Sequence, residues 1–242
     1  MYYLDVSFYF RRFMLMIIHK APAFLAKYML VPSQPECLLF ILFFLVVCRK
    51  CELAFKTLLF VAFCIVVNAA LKVTFQVPSY ATSAKGHFAF PSGHMQFSTV
   101  FYGWIIYHLR HDVLRRRIHG NKNENTECKI DSFKTYLLYS LLMLILFIVG
   151  YGLVLAEYHS MDDVIAGWIV GTLLVCFIGA IELVIPRYVP IFVTSIASAC
   201  MIYIPFQYAP IPEHAWWAYG IVLLLSLHWI CTMHINGKTR LP

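Results

Sequence analysis

Charge is what this 242-residue chain has least of: Asp, Glu, Lys and Arg make up 13% of it, about half the usual share in soluble domains. A water-facing shell around one soluble core of this length is therefore not expected. Ordered cysteine spacing is also missing. The eight cysteines fit neither a disulfide scaffold nor a zinc site, and CRKC at Cys48–Cys51 reads as thiols at a helix end. No P-loop and no dinucleotide-binding glycine run occurs, so no cofactor is expected. The N-terminal MYYLDVSFYFRRF has an acid ahead of its basic pair and lacks a small-residue cleavage site, unlike a removable signal peptide. The formal charge is +7, but the cations lie between apolar segments instead of along one stripe, which argues against nucleic acid as a partner.

Apolar residues are what the chain has in excess: 61% are hydrophobic and the mean hydropathy is +0.74. Runs able to cross a bilayer lie at roughly 37–48, 54–75, 94–109, 135–157, 163–185, 189–207 and 215–235. The first is short and borrows residues from Val31 to Glu36. A spanning helix uses about 20 residues, so six or seven consume nearly the whole chain. The expected fold is an all-α polytopic bundle, with one membrane domain over 37–242 and an N-terminal segment over 1–36. Within that segment 13–31 carries His19, Lys20, Pro22 and Lys27, which suits either an interfacial amphipathic helix or a kinked extra span.

The loop 110–134 is rich in Arg and Lys and is expected in the cytoplasm. Threading the runs alternately from it, with 13–31 counted as a span, puts most of the 19 Lys and Arg on that side. Lys72, the loop 78–93, His94, His159 and the Glu213–His214 turn go to the opposite, extracytoplasmic face.

In PSGH, Pro91 restrains the turn, Ser92 can cap a helix, and Gly93 lets a ligand approach the backbone. A helix starting there directs unpaired N–H groups and its positive dipole end at an anion. His94 adds a proton donor effective near neutral pH. In EYHSMDDVIAGW, His159 stands four residues before Asp163, on one helical face. A carboxylate there can hold one imidazole nitrogen and leave the other to attack an electrophile. On spacing alone Glu157 or Asp162 can serve instead, and the His159–Asp163 pair can also ligate a metal, although no further cluster supports one. Lys72 lies near the end of an apolar run, where an ammonium either snorkels to water or meets an anion.

Lys72, then Pro91-Ser92-Gly93-His94, then His159 with Asp163 resemble the three motifs of the type 2 phosphatidic acid phosphatase (PAP2) superfamily, over about residues 70–170. The resemblance implies a lipid phosphatase or phosphotransferase, metal-independent, working through a phosphohistidine. It gives His159 the role of nucleophile, Asp163 that of its orienting partner, and His94 that of acid to the leaving group. Lys72, Ser92 and the Gly93 amide would hold phosphate oxygens. Two arginines of the family's pattern are replaced, by Ser79 in the first motif and Leu153 in the third. Three consequences are open: Lys85, with His87, supplies the missing charge; the substrate is a phosphodiester, as in the similar sphingomyelin synthase branch; or catalysis is lost and lipid-phosphate binding kept. A transporter or channel is the reading from another class, and no inverted repeat supports it.

Overall fold

The computed structural model describes residues 25–78, 88–119, 125–207 and 211–238. Seven α-helices account for most of them: α1 Pro35–Val47, α2 Cys51–Phe75, α3 Gly93–His119, α4 Asn125–Leu155, α5 Met161–Val184, α6 Val189–Gln207 and α7 Glu213–Lys238. Among the described residues there is no strand, only one antiparallel bridge between Pro78 and Phe88. The expected all-α bundle is what forms.

Among the described residues, five stretches are long and apolar enough to cross a membrane: Cys51–Phe75, Tyr136–Leu155, Met161–Val184, Pro186–Gln207 and Glu213–Met233. Their outer faces stay apolar, with Phe147, Phe206 and Leu224 each more than two-thirds exposed. Such a coat suits hydrocarbon and not water, and the chain is a multi-pass membrane protein. The run 94–109 is helical as expected, yet α3 is more polar than the five. Its Gln96, Ser98 and Thr99 are buried, because α3 packs against α2, α4 and α5.

The chain ahead of the five spans is broken into short pieces. Residues 25–29 are helical, a 3-10 turn follows at Val31–Ser33, and α1 starts only at Pro35. Pro32 and Pro35 lack the N–H that would continue a helix, and the freed Pro32 carbonyl accepts from Tyr102 Oη at 2.6 Å. Ala26 and Leu30 are buried against Gly152, where a Cβ would lie 2.8 Å from that of Met29. The end of the 13–31 segment thus packs on α4; residues 13–24 lie outside the described residues.

α1 and α2 form a hairpin closed by Arg49 in the left-handed region, φ 60°, with Lys50 N–H donating to the Leu45 carbonyl at 2.8 Å and Arg49 N–H to that of Val46. Between α2 and α3 the core holds Phe60 edge-on to Trp104 at 4.4 Å, and α6 and α7 cover it with Val193, Ala197, Ala218 and Val222. α3 and α5 approach most closely along two glycines. A Cβ on Gly167 would stand 2.6 Å from the Ser92 carbonyl oxygen, and one on Gly171 2.7 Å from Thr99 Cβ, so only glycine admits this crossing.

At the end of the bundle near Arg49, Lys56 Nζ meets Glu182 at 2.7 Å and Glu52 at 2.6 Å, and His108 Nε2 lies 3.3 Å from Glu182. Glu182 is thus an interhelix contact, as its place in an apolar run suggests.

Candidate active site

The site forms at the opposite end, where three chain turns meet. α2 stops beyond Lys72 because Gln76 adopts φ 51° and its N–H returns to the Lys72 carbonyl at 2.9 Å. The chain comes back beside itself: Ala89 N–H donates to the Val77 carbonyl at 2.8 Å, and Phe75 packs edge-on to Phe90 at 5.0 Å. It then enters α3 through a cis Phe90–Pro91 bond.

Ser92 is fully buried and sits as the helix cap, with its Oγ 3.5 Å from the Met95 amide. Asn68 of α2 supports the turn, donating to the Pro91 carbonyl at 3.3 Å and to Gln96 Oε1 at 2.8 Å. A Cβ on Gly93 would lie 3.0 Å from Asn68 Oδ1. Glycine therefore serves close packing here as well as access to the backbone.

α4 ends in a left-handed residue, Glu157 at φ 56°, with Tyr158 N–H bonded to the Leu153 carbonyl and Glu157 N–H to that of Val154. This turn delivers His159 to the start of α5. Ser160 caps that helix in a reciprocal box: its Oγ accepts from Asp163 N–H at 3.2 Å while its own N–H donates to Asp163 Oδ2 at 2.9 Å. The same oxygen lies 3.6 Å from His159 Nδ1, just beyond a hydrogen bond, and Nδ1 has no other partner. Of the three carboxylates open to the sequence reading, Asp163 is buried, whereas Glu157 and Asp162 are exposed. Burial first, and then the charge of Lys72, pushes the His159 imidazole down to about 4. One further bond joins the two motifs: Ser92 N–H donates to the Asp163 carbonyl at 3.0 Å.

Lys72, Asn68, Gly93, His94, His159 and His214 share the wall of one cavity of about 590 Å³. Ser92 lies beneath it. The arrangement pairs an imidazole whose Nδ1 edge faces a carboxylate with a second imidazole, an ammonium and a helix N-terminus. Ser79, Lys85 and His87 lie outside the described residues. Leu153 is fully buried, packed in a cluster with Leu30, Met95 and Val164, so its position points into the core. Two residues were missed in the sequence as site groups. Asn68 signals itself only as a lone amide within an apolar run, and His214 arrives from α7, far along the chain. Among the described residues no three His, Cys, Asp or Glu side chains gather as metal ligands.

The PAP2 superfamily model matches residues 53–183, more than half of the chain and every residue named in the cavity wall except His214. No curated protein and no solved structure gives a match. With the motif residues gathered in one cavity and the match running from α2 to the end of α5, the chain belongs to the PAP2 superfamily.

Proposed function

We propose that this protein hydrolyses a phosphate monoester or diphosphate of a lipid through a phosphohistidine. The observation that carries the reading is the single cavity shared by Lys72, the N-terminus of α3, His94 and His159, with Asp163 behind His159.

His159 attacks phosphorus with the lone pair of Nε2 while the bond to the leaving oxygen breaks, and His94 gives that oxygen its proton. Nδ1–H then turns to Asp163, which offsets the positive charge on the ring. A water molecule next attacks the phosphohistidine, its proton returns to His94, and phosphate leaves. Lys72 and the first amides of α3 hold the phosphate oxygens in place throughout. A short shift closes the 3.6 Å gap between His159 and Asp163, as catalytic contacts do on substrate binding. The cations Arg49, Lys56 and Arg187 stand at the far end of the bundle, which supports an extracytoplasmic site.

A phosphodiester headgroup transfer is the second reading. It is favoured by the burial of Leu153, which leaves fewer cations for a dianion. The deciding experiment assays purified protein on lipid monoesters, diphosphates and diesters with chelator present. Wild type is expected to turn over, His159→Ala to fall to background, and His94→Ala to lose about 10²- to 10⁴-fold. Equal background rates in all three would leave only lipid-phosphate binding. Free phosphate against a transferred headgroup among the products separates the two reactions.

A further inference from the structure

The cavity does not end at the groups that face phosphate. It continues as an apolar trough along the bundle, lined by Leu58, Val61 and Ile65 of α2, Leu38 and Leu42 of α1, and Phe101 of α3. On α2 the lining positions 58, 61, 65, 68 and 72 follow helical spacing, so one straight stripe leads from Leu58 to Lys72. The fourteen steps rise about 21 Å at 1.5 Å each, and the ten from Leu58 to Asn68, the residue packed on Gly93 at the phosphate end, make about 15 Å of it. One leaflet of hydrocarbon is about 15 Å deep, so the trough reaches about the bilayer midplane. At its rim Leu39 is 61% exposed, which leaves the flank open to lipid.

An occupant must meet both ends of this cavity: an anion-holding head and a long, narrow, apolar tail. A peptide backbone would bring N–H and C=O groups that the trough walls leave unpaired. We propose that the trough takes one extended hydrocarbon chain of the lipid phosphate, and that its length selects the substrate. This rests on the lipid-phosphate reading above. An extended alkyl chain advances roughly 1.25 Å per bond, so the stretch of about 15 Å accommodates a tail of roughly 12 carbons. Moving a tail from bilayer to trough gains packing but no hydrophobic transfer, so the preference is moderate.

The test reconstitutes the full chain in phosphatidylcholine vesicles and measures monoalkyl phosphates of about 8, 12, 16 and 20 carbons at equal low mole fraction. The expected result is a rise of about tenfold in kcat/KM from 8 to 12 carbons and no further gain at 16 or 20. Val61→Trp fills the trough part-way and should move the optimum to about 8 carbons. Equal rates at all lengths, or an unchanged optimum in Val61→Trp, would overturn the proposal. A second measurement on wild type needs no turnover: an alkyl phosphate of about 12 carbons with a photoreactive group at its tail end should label α1 and α2 near Leu42 and Leu58. Labelling confined to α4 to α7 overturns the trough. Labelling near Leu58 without turnover of any phosphate keeps the trough and defeats the phosphatase reading.

Discussion

His159 is kept neutral by its surroundings, since burial and the nearby charge of Lys72 depress its pKa to about 4. A neutral imidazole is the nucleophilic form, so the acid limb of kcat/KM, corrected for ionisation of the substrate, should fall near pH 4 to 5. A limb that stays near the ordinary histidine value would count against His159 as nucleophile. The sign for stability is the same. The folded value lies below the unfolded one, so the contribution is full above about pH 6.5 and fades as pH drops through about 4. His214 faces the same cavity from α7, and its removal should be felt in binding. For His214→Ala a rise of about tenfold in KM for a monoester is expected with kcat nearly unchanged, and steady-state kinetics with a monoester and a diester check it. Most of this site was legible in the sequence because PSGH and His-x-x-x-Asp keep their groups local. Spacing alone left Glu157 and Asp162 beside the Asp163 that the family resemblance assigned, and the turn at Glu157 and the cap at Ser160 show why Asp163 is the one that points inward. Asn68 and His214 were not legible as site groups, since their relevance exists only across helices.

At the scale of elements, the crossing of α3 and α5 sets the distance between the two cavity histidines, His94 and His159. Gly167 lies against the Ser92 carbonyl, where a Cβ would stand at 2.6 Å, and backbone cannot yield as a flexible side chain would. Gly167→Val should destabilise by about 1–3 kcal/mol and lower activity more than that loss explains, because it displaces the cap at Ser92. Thermal unfolding in detergent, read beside kcat, checks both parts. Gly220→Ala is the control, since nothing lies within 4 Å of its added carbon. The helices themselves could be read from apolar runs because lipid-facing surface must be apolar whatever the packing. The break ahead of α1 was less visible, since only Pro32 and Pro35 mark it. α3 was read from its run 94–109 as well, although it is more polar than the five spans, because its Gln96, Ser98 and Thr99 are buried within the bundle instead of facing lipid.

For the whole molecule, the two ends of the bundle play different parts. Lys56 and Glu182 are each less than one-seventh exposed and form an ion pair between α2 and α5 far from the cavity. Lys56→Met leaves the Glu182 carboxylate with His108 as its remaining partner and should lose up to about 3 kcal/mol, whereas adding Glu182→Leu should recover much of it; unfolding midpoints of the single and double variants decide. Cys48, exposed beside Arg49 at that end, should react with a membrane-impermeant maleimide only from the cytoplasmic side when it is the one cysteine retained. Labelling from the other side would invert the orientation proposed here. The open flank of the trough has a kinetic consequence. A substrate that enters sideways never crosses water, so its encounter with the enzyme is a two-dimensional search. The governing concentration is then the surface fraction of substrate in the bilayer: diluting the vesicle suspension leaves the rate per enzyme unchanged, while diluting the substrate with inert lipid slows it.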